Sequence, residues 1–208
     1  MSERGHFITL EGGEGVGKST QVRALAEALK QRGIDVLVTR EPGGSDGAEA
    51  IRELLLSGDE DRWGPQAEAL LFAAARADHV QKTIQPALEA GKWVISDRFV
   101  DSSLAYQGGA GGLGIETVRE INAFAIGGSF PDRTLVLTLD DGAERARARD
   151  TDGSDRIGGR SGDYHHKVET AFRLITIEEP ERVVLVDASG SQEGVTKRLL
   201  DAIADLLP

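Results

Sequence analysis

The chain has 208 residues, of which 39% are hydrophobic, so we expect one domain over residues 1–208 with a substantial core and no bilayer-spanning segment. Its formal net charge of -11 opposes non-specific binding to nucleic acid, and anionic ligands must therefore be held by local arginines. The absence of cysteine excludes disulfides and thiolate metal sites, and the N-terminus has no signal-peptide core, which makes a cytoplasmic location the expectation.

Extended and helical patterns alternate along the chain. The predicted strands are 7–10, 34–39, 92–96, 134–139 and 182–186. The predicted helices are 19–31, 46–56, 66–89, 102–106, 115–126, 143–149, 164–178 and 193–207. Apolar strands such as 183–186 lack the alternation of a half-solvated sheet, which indicates a sheet covered on both faces. The pattern predicts an α/β fold: a doubly wound, mostly parallel five-stranded sheet with helices on both faces.

The first predicted strand leads into a phosphate loop, residues 12–19, that satisfies the pattern G-x-x-x-x-G-K-[ST]. Its glycines let backbone N–H groups point at phosphate oxygens, and the following helix adds its positive end. Lys18 can reach the β- and γ-phosphates, and the Ser19 hydroxyl can ligate Mg²⁺. A glycine-rich turn that binds nothing would not need this lysine and hydroxyl. The motif predicts binding of a nucleoside triphosphate but does not say what becomes of the γ-phosphate.

Polar residues follow the second and third predicted strands, as Arg40-Glu41-Pro42-Gly43-Gly44 and Asp97-Arg98. Ligands of open α/β sheets bind beyond the carboxyl ends of the strands. Asp97 and Arg98 therefore suggest a carboxylate near magnesium beside a guanidinium on phosphate. The alternatives are an exposed ion pair capping the next helix and, at 40–44, an ordinary Pro-Gly turn.

One polar break, residues 150–163, is rich in Asp, Gly, Ser and Arg. Such a break inside a compact domain is either disordered or a functional lid, and we expect a short lid at about 145–160. Arg145 and Arg149 share a face on a helix, whereas Arg147 points elsewhere. Guanidiniums delivered by a lid would stabilise the charge of phosphoryl transfer, and a solvated charged face is the alternative.

These motifs together resemble the bacterial thymidylate kinases over nearly the whole chain. The matching segments are 7–20, 39–44, 71–79, 96–107, 145–157 and 180–189. The resemblance implies transfer of the γ-phosphate of ATP to dTMP, giving ADP and dTDP, with Mg²⁺ as cofactor. It also implies a homodimer formed through the long helices between Gln66 and Ile126.

The resemblance implies roles at the ATP and metal end of the site. The ATP-binding residues would be Gly12, Gly13, Glu14, Gly15, Val16, Gly17, Lys18, Ser19 and Thr20. The metal would be held by Ser19, Glu11 and Asp97, with Glu11 also near the acceptor phosphate. Arg98 would bind that phosphate, and Lys18, Asp97 and Arg98 would be catalytic.

For the acceptor, the resemblance implies that Phe72 stacks on thymine and that Arg76 bonds the edge of the base. The two residues are four apart on one predicted helix and share a face. Tyr106 would crowd a ribose 2′-hydroxyl and favour the deoxynucleotide. Core packing for Phe72 and a half-buried position for Tyr106 are the alternatives. The remaining acceptor residues would be Glu11, Arg40, Pro42, Arg98, Ser102, Ser103 and Gln107.

Related enzymes place a basic residue either in the phosphate loop or in the lid. The loop here carries Glu14-Gly15, so the lid must supply the arginines, and Arg149 and Arg156 are the expected catalytic pair. The chain departs from the family pattern in the lid region, where it has Asp140-Asp141-Gly142 and Gly158-Gly159.

Phosphate-monoester acceptors are already nucleophilic, so positioning groups are needed rather than a Ser-His pair. We therefore expect His79, His165 and His166 to be surface residues. Two other functions remain open: a kinase for another nucleoside monophosphate or a small hydroxyl acceptor, and a regulatory NTPase switch. The switch usually has Asp-x-x-Gly after a strand, whereas Asp97 is followed by Arg98-Phe99-Val100.

Overall fold

A computed structural model describes residues 4–59, 61–139, 157 and 160–208. The strands are β1 (Phe7–Gly12), β2 (Val36–Arg40), β3 (Trp93–Asp97), β4 (Arg133–Thr138) and β5 (Val183–Asp187). The helices are α1 (Lys18–Lys30), α2 (Asp46–Leu56), α3 (Pro65–His79), α4 (Gln85–Glu89), α5 (Val100–Ser103), α6 (Ile115–Ile126), α7 (Gly162–Glu178) and α8 (Gln192–Asp201). A first π-helical segment (Val80–Ile84), a second (Leu104–Ala110) and a 3₁₀ turn (Ala204–Leu206) complete the described elements.

The five strands form one sheet in the order β2-β3-β1-β4-β5, and each neighbouring pair is parallel. This confirms the predicted α/β fold. The register sets Asp97 of β3 opposite both Leu10 of β1 and Arg40 of β2. The carboxyl ends of these three strands therefore meet, and their polar residues share one edge of the sheet.

Apolar side chains cover both faces of the sheet, as the short hydrophobic strands predict. Alternate residues of β1 point to opposite faces, because side chains alternate along a strand. Ile8 and Leu10 pack with Leu25 of α1, whereas Phe7 packs with Phe99 on the other side. All six residues of β1 are buried.

β5 departs from the expectation of full burial on both faces. Among the strands that the structure describes, it pairs only with β4 and forms an edge of the sheet, where Leu185 is 37% exposed. A run of apolar residues is typical of a strand covered on both faces, but it does not show whether the strand lies inside the sheet or at its edge.

The predicted helix 66–89 is helical throughout but is divided by a π-helical segment. α3 ends at His79, the first π-helical segment follows, and α4 begins at Gln85. The predicted helix 102–106 also continues as the second π-helical segment, which includes Gly108 and Gly109. A side chain at Gly109 would lie 2.7 Å from the Cβ of Ala171, so the glycine permits close packing of this segment on α7.

The predicted helix 143–149 and most of the lid lie outside the described residues. Among the residues that are described, no helix has the length and apolar character needed to cross a membrane.

Candidate active site

A cleft of about 670 Å³ opens at the carboxyl ends of β1, β2 and β3. Its volume lies within the range of small-molecule sites. From one end to the other it is lined by parts of the phosphate loop, the segments after β2 and β3, and the face of α3. The lining residues that the sequence predicted are Glu14, Gly15, Val16, Gly17, Lys18, Ser19, Thr20, Arg40, Pro42, Phe72, Arg76, Asp97, Arg98, Ser102, Ser103, Tyr106 and Gln107.

The phosphate loop takes a backbone path that requires glycine at its ends. Gly12 has φ +131°, and a side chain there would lie 2.4 Å from the carbonyl oxygen of Leu137. Gly17 has φ +92° and immediately precedes the first residue of α1, Lys18. The Lys18 ammonium donates to the carbonyl oxygen of Gly13 at 2.6 Å. Burial lowers the pKa of Lys18 to about 8, because the charged form loses hydration.

Ser19 and Asp97 provide a pair of oxygen donors beside this loop. The Ser19 hydroxyl donates to Oδ2 of Asp97 at 2.6 Å. Within the described ranges there is no cluster of three or more His, Cys, Asp or Glu side chains that could hold a metal ion. Mg²⁺ in phosphoryl-transfer sites commonly uses few protein oxygens, together with substrate phosphates and water. The pair therefore fits a Mg²⁺ that arrives with a nucleotide.

Arg98 follows β3 with an unusual backbone, since it is the one non-glycine residue with positive φ (68°) in the described chain. Its Nη2 donates to Oε1 of Glu14 at 2.6 Å, and its Nη1 donates to Gly12 O and to Ser102 Oγ. Its guanidinium also lies 5.0 Å from the centre of the Tyr106 ring. Burial opposes the charge of Arg98, but the surrounding side chains, Glu14 among them, raise its pKa overall. The charge of Arg98 in turn lowers the pKa of Glu14 to about 2.

Glu11 lies behind the cleft and is not among its lining residues. Its carboxylate accepts from the backbone N–H of Phe99 at 2.7 Å and from the Ser102 hydroxyl at 2.5 Å. Burial, followed by the charge of Asp101, raises the pKa of Glu11 to about 8. These contacts fix the segment that carries Arg98, and the metal role stays a prediction.

At the other end of the cleft, Phe72 is half-buried and Arg76 is buried against a carboxylate. Arg76 Nε donates to Glu41 Oε2 at 2.8 Å. Its Nη1 donates to Ser103 Oγ at 3.0 Å and to Asn122 Oδ1, and its Nη2 donates to Phe99 O at 3.0 Å.

Gln107 and Tyr106 are both buried in the second π-helical segment. Gln107 Nε2 donates to Glu68 Oε1 at 3.0 Å, and the Tyr106 hydroxyl donates to Glu14 Oε1 at 3.2 Å. Tyr106 is 4% exposed, whereas the alternative to a role beside the sugar was a half-buried tyrosine. Burial raises its pKa, which keeps the hydroxyl protonated.

Several lining residues were missed by the sequence reasoning. One of them is Arg52 of α2, which donates to the carbonyl oxygen of Pro42 at 2.6 Å. Arg40, which was predicted, is exposed and pairs with Glu49 at 3.0 Å. The position of Arg52 on the predicted helix after the 40–44 turn could have indicated that it lines the cleft. The other missed lining residues are Gln21, Glu41, Leu56, Phe99, Ile157, Ala188, Gly190, Gln192 and Val195.

The prediction that His79 is a surface residue is wrong, because its side chain is fully buried between Glu41 and Thr39. His165 is half-buried, so it too departs from the prediction, and only His166 is exposed. The local sequence Ala-Asp-His does not reveal that the buried carboxylate that His79 contacts lies 38 residues upstream.

The predicted lid arginines Arg149 and Arg156 lie outside the described residues, as do Arg145 and Arg147. Ile157 is described, is buried, and lines the cleft. Just beyond it, Arg160 donates to Glu68 Oε2 at 2.7 Å and to the Tyr164 hydroxyl at 2.6 Å.

Comparison with known proteins places this geometry in a family. A sequence model described as thymidylate kinase matches residues 10–199. The chain belongs to the thymidylate kinase family. The thymidylate kinase of Rhizorhabdus wittichii is 59% identical over 98% of this chain and 99% of that protein. The thymidylate kinase of Bradyrhizobium diazoefficiens is 48% identical over 100% of this chain and 92% of that protein.

A solved structure supports the same assignment. The crystal structure of thymidylate kinase from Ehrlichia chaffeensis has a TM-score of 0.80 and 30% identity, and the match covers 96% of this chain and 99% of that one. The expected fold and enzyme class are therefore confirmed: the chain is a nucleoside monophosphate kinase that phosphorylates dTMP.

Proposed function

We propose that the cleft binds ATP and dTMP end to end, with the ATP phosphates at the phosphate loop and the thymine base at Phe72 and Arg76. One observation carries this assignment. A single continuous cleft joins Lys18 and Ser19 to Phe72 and Arg76, with Arg98 between the two ends. Direct phosphoryl transfer needs donor and acceptor phosphates in one shared space, which this arrangement provides.

The base end of the cleft supports pyrimidine recognition. An arginine has five N–H donors, and contacts inside the described chain use four of those on Arg76. The fifth is on Nη2, and no acceptor for it lies among the described residues. We assign it to an oxygen on the edge of the base, while the Phe72 ring stacks on the base face. The Ser103 hydroxyl accepts a hydrogen bond from the Arg76 guanidinium, and Gln107 donates to Glu68 at the same end of the cleft.

The centre of the cleft supports binding of the acceptor phosphate. Arg98 is half-buried, keeps its charge, and has Ser102 within hydrogen-bond distance. A phosphate monoester would exchange places with Glu14 on this guanidinium, because a dianion competes with a carboxylate for the same donors. Tyr106 packs against Arg98 and would lie beside the sugar.

At the ATP end, Lys18 would leave the Gly13 carbonyl and reach the β- and γ-phosphates. Contact with phosphate would keep its ammonium charged despite the burial. Ser19 and Asp97 would hold Mg²⁺, which supplies charge neutralisation between the β- and γ-phosphates. Transfer is direct and in line, with no covalent intermediate on the protein. Exclusion of water by closure over both nucleotides protects ATP from hydrolysis.

The acceptor preference tests this assignment. ADP release should be measured with dTMP, dUMP, AMP, GMP and CMP at fixed ATP and Mg²⁺. We expect dTMP to give the highest kcat/KM, and preference for a purine would overturn the assignment of the base end. ATP hydrolysis without acceptor at the same rate would instead favour an NTPase switch.

We also propose a homodimer that uses α3 and α6. Phe124 of α6 is 93% exposed and Leu70 of α3 is 57% exposed, and large exposed apolar side chains are typical of protein interfaces. The resemblance to the family supports the same helices. Light scattering at micromolar concentration should give twice the chain mass, and a monomer would contradict the proposal. A cytoplasmic location stays a prediction.

A further inference from the structure

The base end of the cleft is supported by a buried chain of polar contacts that runs away from the cleft. Arg76 Nε contacts Glu41 Oε2 at 2.8 Å, Glu41 Oε1 contacts His79 Nδ1 at 3.0 Å, and His79 Nε2 contacts Thr39 Oγ1 at 2.7 Å. The side chains of Arg76, Glu41 and His79 are 1%, 4% and 0% exposed. Three ionisable side chains are thus buried together, and each has its polar atoms paired.

We propose that His79 is a positioning residue for recognition of the acceptor base. It holds the Glu41 carboxylate in one orientation, and Glu41 holds the Arg76 guanidinium so that its remaining Nη2–H points at the base. The inference rests on the proposed role of Arg76 in the cleft. His79 itself does not line the cleft and acts through its two neighbours.

The contact with Glu41 defines which nitrogen of the imidazole ring donates a hydrogen bond. Next to the permanently charged Arg76, the Glu41 carboxylate acts as an acceptor, so His79 Nδ1–H donates to Oε1. Nε2 on the other side of the ring lies 2.7 Å from the Thr39 hydroxyl oxygen. Among the described residues, each Glu41 oxygen accepts one of these two hydrogen bonds, from Arg76 or from His79. Loss of the His79 donor would leave Oε1 unpaired and free Glu41 to rotate.

The surrounding backbone is built to receive the imidazole ring. A side chain at Gly44 would lie 2.3 Å from His79 Nε2 and 2.5 Å from Thr39 Oγ1, and Gly44 has φ +88°. His79 and Arg76 are three residues apart on α3, so both face the segment after β2. α3 ends at His79, and the first π-helical segment follows at once. Such segments are frequent at functional sites because they re-aim the side chains beside them.

The guanidinium also has partners other than Glu41. Ser103, Asn122 and the Phe99 carbonyl bind the two terminal nitrogens. Only Glu41 binds Nε, the nitrogen nearest the backbone, and an ion pair in a buried setting is stronger than a neutral hydrogen bond. Rotation of Glu41 would therefore tilt the plane of the guanidinium and move the free Nη2–H off the base.

The test separates base recognition from the rest of the acceptor site. KM for dTMP and for ATP, kcat, and the inhibition constant of deoxyribose 5-phosphate should be measured in His79→Leu, His79→Asn, Thr39→Val and Arg76→Met. Deoxyribose 5-phosphate keeps the sugar and phosphate but has no base. Leucine removes both ring nitrogens, whereas asparagine places an amide N–H where Nδ1 lies and keeps the donor to Glu41.

We expect His79→Leu to raise KM for dTMP at least tenfold, with kcat, KM for ATP and the inhibition constant of deoxyribose 5-phosphate within twofold of the unchanged protein. His79→Asn should stay within threefold for dTMP, and Thr39→Val should lie between the two. If His79→Leu does not fold, His79→Gln replaces it, since its longer side chain carries the amide towards Thr39 and away from Glu41. An unchanged KM in the leucine or glutamine variant, or equal losses for dTMP and deoxyribose 5-phosphate, would overturn the proposal.

Arg76→Met separates failure of this inference from failure of the proposed function. If Arg76→Met leaves the KM for dTMP unchanged, Arg76 does not contact the base and the proposed function is wrong at this end of the cleft. If Arg76→Met raises that KM but His79→Leu does not, Arg76 contacts the base without help from His79.

Discussion

Glu14 and Arg98 form an ion pair, with 2.6 Å between Oε1 and Nη2, that joins the phosphate loop to the end of β3. The pair links the proposed ATP and acceptor ends of the cleft. The charge of Arg98 lowers the pKa of Glu14 to about 2. The Glu14 side chain is 35% exposed, so water and salt weaken the interaction relative to a fully buried pair.

The first prediction concerns the pH dependence of this pair. Because the pKa of Glu14 is lower in the folded than in the unfolded protein, its contribution to stability is present above pH 4.5 and is lost as the pH falls towards 2. Glu14→Gln should lower the free energy of unfolding by about 1 kcal/mol at pH 6, after allowance for screening. That difference should fall by more than half between pH 5 and pH 3, measured by urea unfolding without nucleotides. A pH-independent difference would contradict the prediction, and Glu27→Gln, which replaces an exposed carboxylate outside the cleft, is the control.

The second prediction concerns Arg98 and the acceptor phosphate. Hydrogen bonds to charged groups contribute about 1.5–3 kcal/mol, so Arg98→Ala should raise KM for dTMP by roughly ten- to a hundredfold. KM for ATP should stay within about twofold, because the donor phosphates bind elsewhere in the cleft. Steady-state kinetics with each substrate varied in turn would measure both values.

Two further variants make that result specific. Arg173→Ala removes an exposed arginine from α7, outside the cleft, and should leave both KM values unchanged. Glu14→Gln/Arg98→Ala should match Arg98→Ala in KM for dTMP. Recovery in the double variant would mean that the unpaired Glu14 charge, and not the missing guanidinium, weakens acceptor binding.

The third prediction concerns Phe72 and the acceptor base. Stacking of a base on an aromatic side chain is worth about 1–3 kcal/mol, so Phe72→Ala should raise KM for dTMP by about tenfold. The inhibition constant of deoxyribose 5-phosphate should not change, and Phe72→Tyr should restore most of the binding. Leu185→Ala, which truncates an apolar side chain outside the cleft, is the control. If Phe72 only packs in the core, both ligands should be affected together, with a lower melting temperature.

The sequence was most informative where function depends on local geometry. The phosphate loop is read from eight consecutive residues, and Arg98 and Asp97 are placed by the rule that ligands bind at the carboxyl ends of parallel strands. The register that sets Asp97 opposite Leu10 and Arg40 was not predicted and comes from the structure. These residues lie in the cleft because short polar segments follow short buried strands.

The sequence was least informative where a side chain's partner lies far along the chain. Glu41 is separated from Arg76 by 35 residues and from His79 by 38, and nothing local distinguishes a buried histidine from an exposed one. The edge position of β5 and the π-helical segments are also set by tertiary packing. Hydrophobic periodicity indicates which face of one element is buried. The features named here depend on which other element packs against that face.

The last prediction concerns the lid. Glu14-Gly15 leaves Lys18 as the one basic side chain of the phosphate loop, so further charge that develops on the transferred phosphate must be met from elsewhere. Ile157 lines the cleft, and Arg160 just beyond it donates a hydrogen bond to Glu68. We expect Arg149→Ala and Arg156→Ala each to lower kcat by about a hundredfold or more, with KM for dTMP within about threefold. Arg147→Ala, on the other face of the predicted helix, should change kcat little, and intact turnover in both the Arg149 and Arg156 variants would show that the lid does not supply this charge.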